Sequence, residues 1–410
     1  MEPVELAKRI ENHLRILEKM TSTPGHGVTR LPFSAEAREA SDYLKNQMEA
    51  IGLAARIDAT GSVVGRLEGM DSKTVISGSH YDSVVQGGAF DGIAGVICAL
   101  EAVRLLTESG GKLQRSVEIV ATNDEEGARF KSGLFTGKVY WGHFKPDDLK
   151  RYVDSDGVSI YEAMKDYGLD PEQIQNARRN PQDITAFIET HIEQGPILEQ
   201  AEKELGIVTT IVGIRRNLVT IHGRADHIGT MPMNMRKDAM EMAAHVIASI
   251  GECARRYEGA VATVGSINVK PNIINIIPSE VTFTVDFRSP SASVINAQSR
   301  SLKEKLEEVT KRFGGTYEIS EALDASPVDM DKKLRKLLID SCVERGFSHM
   351  ELLSGAGHDA QIIGEKVPTA MIFAPSIGGR SHCPEEFTDY LVLAKATLVL
   401  FDVLKELCLA

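Results

Sequence analysis

Cysteine is scarce in this chain. Its five residues, Cys98, Cys253, Cys342, Cys383 and Cys408, are scattered, odd in number and never spaced as CxxC. That pattern argues against a disulfide framework and against a thiolate zinc knot. No apolar run is long enough to cross a bilayer, and the opening MEPVELAKRIENHLRILEKM reads as an amphipathic helix without the apolar core of a signal peptide; the expected location is the cytoplasm, with no membrane partner. Positive charge is not in excess either. Lys and Arg number 46 against 58 Asp and Glu, a net charge of −12, which disfavours nucleic acid as a partner. Repeats and low-complexity segments are lacking. What remains is an ordinary soluble composition over 410 residues, 42% hydrophobic and 25% charged, enough for about two or three domains with a real core.

Hydrophobic periodicity divides the chain. Up to about residue 211, short apolar runs alternate with helical patterns. Ser34 is placed to cap a helix that stops at Gly52, and β-rich runs follow at 62–67 and 74–78. A helix over about 92–106 carries Ile93, Val96, Ile97, Leu100 and Val103 on one face, and buried strands are expected at 116–122 and 184–190. The middle differs. A β-rich stretch at 206–221, a helix over 238–257, a strand at 261–269, the alternating run EVTFTVDFR at 280–288, a helix over 291–313 and a strand at 317–323 follow one another. The order β-α-β-β-α-β matches a ferredoxin-like unit. The α/β pattern then resumes with a helix over 331–345, a strand at 369–374 and a terminal helix over 388–407. The expected fold is α/β: a large catalytic domain with a mainly parallel sheet flanked by helices (1–211 and 326–410), with an α+β domain inserted at 212–325.

The chemistry-bearing residues gather where strands are expected to end. His80 and Asp82, in GSHYDS, are two apart and face one way on an extended chain, so Asp82 is placed to accept the second imidazole N–H of His80. Asp91, in GGAFDG, precedes a helix start. Asp124-Glu125-Glu126 follows SVEIVAT, and three adjacent acids repel one another unless something cationic holds them. One glutamate there could ligate while its neighbour acts as general base. His191 follows ITAFIET, and His382 lies in a loop after TAMIFA. Singly, each has an ordinary structural explanation; together, His80, Asp91, Glu126, His191 and His382 all follow strands of one α/β domain. Nitrogen and oxygen donors without thiolate suit Zn2+, Mn2+, Co2+ or Ni2+. Five ligands with one bridging carboxylate suit a pair of ions about 3.5–4 Å apart.

The motifs GSHYDS, GGAFDG, NDEEGARF, ETHIEQG and SHCPEE, with the opening GVTRLPFS, resemble the co-catalytic metallopeptidase/amidase family over nearly the whole chain. EEGARF and HIEQG resemble its ureido-cleaving branch, the hydantoinases and carbamoylases. Within that branch GIRR at 213–216, SGAGHDAQ at 354–361 and MIFAPSI at 371–377 look most similar to allantoate amidohydrolases. The resemblance implies two divalent ions per subunit, Mn2+ or Zn2+ foremost. Asp91 would bridge them, His80 and His191 would complete opposite ions, and Glu126 and His382 would be terminal ligands. Asp82 would orient His80 and Glu125 would be the general base. His227, in ADHIG, would support the oxyanion. Asn275 and Arg288 match substrate-binding positions, and Gln194, Arg215, Arg216, Gly355, Ala356 and His358 join them by their motifs. The inserted domain would act as a lid and form a homodimer. The implied reaction is hydrolysis of the ureido group of allantoate to ureidoglycine, ammonia and carbon dioxide. An N-carbamoyl-L-amino acid is the alternative substrate, and a noncatalytic binding protein the alternative of another class. Cys383 and Ile228 depart from the residues usual at their positions.

Overall fold

The computed structural model describes residues 2–409. The chain divides into two compact units, Met1–Thr209 with Asp329–Ala410, and Thr210–Val328. The boundaries lie a few residues from those expected at 212 and 325. The cause is the β-rich stretch read as one run at 206–221. It is two strands, Leu205–Ile211 and Gly213–His222, and they belong to different sheets.

In the first unit the sheet runs, in spatial order, Ala54–Ile57, Val63–Leu67, Ser116–Thr122, Thr74–His80, Ile184–Ile192, Thr369–Ala374 and Leu205–Ile211. The four central strands, from Ser116–Thr122 to Thr369–Ala374, are mutually parallel. Strands Thr74–His80, Ser116–Thr122 and Thr369–Ala374 are buried along their whole length. This is the signature of a sheet covered on both faces, and it explains why they read as continuous apolar runs rather than alternating ones. All four carry their carboxyl ends to one edge, where α/β sheets gather their ligands.

Helix Ile93–Glu108 packs on this sheet and is buried at 13 of its positions, from Ile93 to Leu106. Each fully buried Ile, Leu or Val there contributes about 1.5–3 kcal/mol. Its one buried acid, Glu101, is held by two arginines and a histidine: Arg104 donates at 3.0 Å, Arg9 at 3.4 Å, and His13 Nε2 lies at 3.3 Å. The other nitrogen of His13 meets Tyr43 at 2.7 Å. This knot joins helices Pro3–Leu17, Ala35–Ala50 and Ile93–Glu108. Helix Ala35–Ala50 begins as its sequence requires, with the Ser34 hydroxyl accepting from Ala37 N.

The second unit is a sheet in the order Thr316–Ala325, Gly213–His222, Glu280–Ser289, Val261–Thr263, with Ile267–Lys270 also on Glu280–Ser289 and every pair antiparallel. Two helices, Ala239–Arg255 and Ala292–Phe313, cover one face. Their core includes Val219, Ile221, Met242, Val246, Val281, Phe283, Val285, Phe287, Leu302 and Leu306. The strand expected over 261–269 is broken into two short ones. The alternation of EVTFTVDFR is realised residue for residue, with Val281, Phe283, Val285 and Phe287 buried and their neighbours partly exposed.

Burial alone would raise the Glu101 carboxyl, but His13 and Arg104 outweigh it and hold it below the ordinary carboxylate value. A group depressed on folding stabilises fully above its unfolded pKa, about 4.3, and loses that contribution as pH falls through its folded value. Glu101→Gln should therefore cost about 2–3 kcal/mol in urea denaturation at pH 7, with the gap to wild type closing below about pH 4. An equal gap at pH 3 and pH 7 would reject the knot as the cause.

Candidate metal centre

His80 is the last residue of its strand and His191 lies one residue from the end of its own. Their Nδ1 atoms face main-chain carbonyls, His80 that of Asp82 at 3.0 Å and His191 that of Ile192 at 2.9 Å. A carbonyl can only accept, so each facing nitrogen carries the hydrogen and Nε2 presents a lone pair. Both Nε2 atoms point at one oxygen, Asp91 Oδ1, at 3.4 and 3.1 Å, and lie 3.5 Å from each other. The second oxygen of Asp91, Oδ2, lies 3.1 Å from His382 Nε2, which is 3.4 Å from Glu126 Oε1. His80, Asp91 and His191 thus form one group able to hold an ion, and Asp91, Glu126 and His382 another.

This arrangement corrects two expectations. His80 and His191 do not stand on opposite sides of Asp91; both face one of its oxygens. The Asp82 side chain is not what takes the His80 N–H, its Oδ1 lying 3.7 Å away. The main-chain carbonyl of Asp82 takes it, and the carboxylate accepts instead from Glu125 N at 3.1 Å and Glu126 N at 3.3 Å. Nor is Asp91 a helix cap. The N-cap of helix Ile93–Glu108 is Gly92, in a left-handed conformation at φ +65°, so the Asp91 carboxylate is left to the centre.

The other expected residues fall in two places. Glu125 is buried, with Oε2 3.9 Å from His80 Nε2. Gln194 donates from Nε2 to Asp91 Oδ2 at 2.8 Å. His358 is buried rather than presented to a ligand: its Nε2 meets Ser354 Oγ at 2.9 Å and its ring packs edge-on against His191 at 4.5 Å. Gly355 and Ala356 lie in the loop between them. Arg215, Arg216, His227, Asn275 and Arg288 lie in the second unit. Arg215 is bound to Asp324, Asn296 and Ser299, while Arg216 and Arg288 both donate to Asp286. His227 and Asn275 are exposed on neighbouring loops joined by the His227↔Ile276 bridge. His227 Nδ1 accepts from Gly229 N, which leaves the ring hydrogen on Nε2.

The sequence reading gave no role to Glu386, though it quoted SHCPEE, nor to Arg30, though it quoted GVTRLPFS. Arg30 is buried and donates to three carbonyls, Tyr81 O at 2.6 Å, Leu17 O at 2.8 Å and Met20 O at 3.3 Å. Burial pulls its guanidinium down to about 10, with Asp82 opposing. Glu189, also buried, accepts from Ser79 Oγ and Ala360 N. A sequence gives no sign of such partners, which lie 10 to 171 positions away.

The electrostatics fit divalent cations. Asp91 Oδ1 and Glu126 Oε1 are buried without a hydrogen-bond partner, a costly state for carboxylate oxygens. Burial, followed by repulsion from Asp91, pushes Glu126 up to about 7. Burial and then its neighbours Glu126, Asp359 and Asp82 push Glu125 well up, with His80 opposing. Asp91 goes the other way: burial would raise it, but the imidazoles of His191, His382 and His80, when protonated, favour its charged form and hold it well below the carboxylate range. The cluster is a set of anions that imidazole protons neutralise only in part, and its donors are nitrogen and oxygen alone.

A parallel sheet whose strand ends bring histidines, carboxylates and one further glutamate together defines a metal-dependent hydrolase of the metallopeptidase type. The chain belongs to peptidase family M20/M25/M40, whose model matches residues 75–406. It is 41% identical to an N-carbamoyl-L-amino-acid amidohydrolase of Paenarthrobacter aurescens, over 98% of each chain, and 38% identical to an allantoate amidohydrolase of Escherichia coli, over 97% of each. A crystal structure of an amidase of the hydantoinase/carbamoylase family from Burkholderia multivorans superposes with a TM-score of 0.89 at 32% identity, covering 97% of both chains. The chain is accordingly a hydrolase of C–N bonds, and the enzymes of its family depend on two metal ions.

A Cβ at Gly92 would lie 2.4 Å from the His80 ring, on a backbone that L-residues rarely adopt. Gly92→Ala should lose at least tenfold in metal affinity, measured by titrating Mn2+ into the metal-free protein. Wild-type affinity in that variant would show that the His80 ring is not fixed by this contact.

Proposed function

We propose that this chain hydrolyses the ureido group of a small carboxylate-bearing substrate, with allantoate the first to test. The observation that carries the reading is the position of Glu125, a buried carboxylate beside His80, Asp91, Glu126, His191 and His382. In this reading His80, His191 and Asp91 hold one divalent ion and Asp91, Glu126 and His382 the other. When bound, such ions supply Lewis-acid polarisation of a carbonyl and acidify water.

The chain's own residues do the rest. Asp82 fixes the backbone of Glu125 and Glu126 by accepting from both their amides, so the Glu126 carboxylate faces His382 and that of Glu125 stays beside His80. Glu125 takes a proton from the attacking water and gives it to the leaving nitrogen; burial and neighbouring acids, which favour its protonated form, suit it to that return step. His227, with its hydrogen on Nε2, acts as the oxyanion donor. Asn275, Arg288 and the Gly355-Ala356 loop bind the rest of the substrate. Gln194 steadies Asp91. The lid and homodimer roles of the inserted unit belong to the same proposal.

A second reading, N-carbamoyl-L-amino-acid hydrolysis, is favoured by one observation. The Arg215-Arg216 pair that would mark an allantoate enzyme has its Arg215 committed to Asp324 and Asn296. Ammonia release from allantoate and from a panel of N-carbamoyl-L-amino acids, with Mn2+ present, separates the two. Turnover of neither class would reject the function.

Glu125→Gln should lower kcat by about 10³-fold or more while leaving two ions per chain by mass spectrometry. Turnover near that of wild type would remove Glu125 from its role. His227→Ala should lower kcat by about 10²–10³-fold with KM little changed; a change confined to KM would make His227 a ground-state binding residue instead.

A further inference from the structure

Glu386 is a buried carboxylate to which the metal reading gives no task, and its contacts are specific. Oε1 accepts from Phe90 N and Asp91 N, both at 3.0 Å. Oε2 accepts from Ser381 Oγ at 2.7 Å and His382 N at 3.3 Å. Glu386 is only 4% exposed and makes no ion pair among the described residues. One side chain thus ties the segment that carries Asp91 to the segment that carries His382, some 290 positions apart.

Two further observations point the same way. A Cβ at Gly88 would lie 2.0 Å from Glu386 Oε1 and 2.2 Å from Cδ. Gly88 carries no left-handed φ, so what its position requires is the missing side chain rather than backbone freedom. The glycine is the gap through which the Glu386 carboxylate reaches the Phe90 and Asp91 amides. Independently, Phe90 packs against Phe387 at 5.3 Å and Tyr390 at 5.6 Å. That aromatic contact joins the same two segments without the carboxylate, so a variant lacking the charge keeps them together.

His382 is the ligand most in need of such support. Its ring is 48% exposed, whereas His80 and His191 are buried in strands. Its backbone is left-handed at φ +56°, a conformation that costs a non-glycine residue about 1 kcal/mol. It stands in a loop rather than in a strand, and the Glu386 bond to its own amide fixes that backbone.

We infer that Glu386, admitted by Gly88, is a positioning residue that selectively builds the half of the metal centre formed by Asp91, Glu126 and His382. This rests on the two-ion reading above. Glutamine at 386 keeps the length and can still accept at one oxygen from Phe90 N and Asp91 N, but it turns an N–H toward His382 N, where an acceptor is needed. Losing a partner that orients a metal ligand typically costs about 10–100-fold in affinity. The half held by His80 and His191, each oriented by its own carbonyl, meets Glu386 only through Asp91, whose amide the glutamine oxygen can still accept.

The test is calorimetric titration of Mn2+ into metal-free full-length protein, with the thermal midpoint recorded alongside. Wild type should take up two ions. In Glu386→Gln one of them should bind about 10–100-fold more weakly and the other within about threefold of wild type. Gly88→Ala, which also drives Oε1 off the Phe90 and Asp91 amides, should weaken both ions, with a lower midpoint. Glu385→Gln, the same charge change at the exposed neighbour that pairs with Arg380, should leave both affinities unchanged. A Glu386→Gln protein that binds both ions as wild type does, or loses both equally, overturns the inference and leaves the two-ion reading standing. Wild type that takes up fewer than two ions overturns both.

Discussion

The site turns on one carboxylate. Asp91 is buried with Oδ1 lacking any hydrogen bond, faced by His80 and His191, while Oδ2 faces His382 and accepts from Gln194. A buried carboxylate oxygen in that state is expensive unless positive charge stands next to it. The elements around it are arranged so that only cations, protons included, can relieve the cost. Helix Ile93–Glu108 lies close enough to deliver Asp91 because Gly92 turns left-handed beneath the His80 ring. The parallel strands deliver the imidazoles to the same point. The three non-glycine residues Asp124, Gln194 and His382 all sit at positive φ, +61°, +58° and +56°, in the loops that close the centre. Each such residue costs about 1–3 kcal/mol, which the rigid sheet below must absorb.

The supporting contacts follow one device used twice. Asp82 accepts from two consecutive amides, Glu125 and Glu126; Glu386 accepts from another consecutive pair, Phe90 and Asp91. Each buried carboxylate thereby holds a loop that carries a ligand, and each adds negative potential to a place meant for cations. Backbone amides serve this better than side-chain donors, because two neighbouring N–H groups fix a loop's direction as well as its position. Arg30 does the converse for the His80–Ser83 loop. Its guanidinium donates to the Tyr81 carbonyl, its amide donates to the Ser83 hydroxyl, and its charge acts on Asp82.

Most of the ligand set was legible because the chemistry chooses few residue types and the fold puts them at strand ends. A histidine closing a strand buried along its whole length, as in Thr74–His80, has little other reason to be there. What the sequence did not reveal concerns which atom does what. Whether Asp82 offers His80 its side chain or its carbonyl depends on the turn after the strand, not on the two-residue spacing that favoured the carboxylate. That His80 and His191 share one oxygen of Asp91 follows from the pairing of their strands, 111 positions apart. The alternation of EVTFTVDFR fixed its own strand; the stretch 206–221, β-rich on both sides of Val212, marked the start of the inserted domain there but not that two strands meet at it.

The arginine pair shows how a motif misleads when its strand is ignored. Arg215 and Arg216 are adjacent in Gly213–His222, and adjacent residues of a strand face opposite sides of the sheet. Arg215 turns to the helix side, where Asn296 and Ser299 of Ala292–Phe313 receive it along with Asp324. Arg216 turns to the other face, opposite Asp286 in the register, with Arg288 two residues further along the same side. The two neighbours in sequence therefore cannot close on one carboxylate together. The pair able to do so is Arg216 with Arg288, and Asp286 between them already occupies part of both forks. A substrate carboxylate bound there must compete with Asp286, so affinity for anionic substrates on that face depends on Asp286 as much as on the arginines. Under the proposed function, the contrast between allantoate and a carbamoyl amino acid becomes a question about three residues on one face of a sheet rather than about a dipeptide.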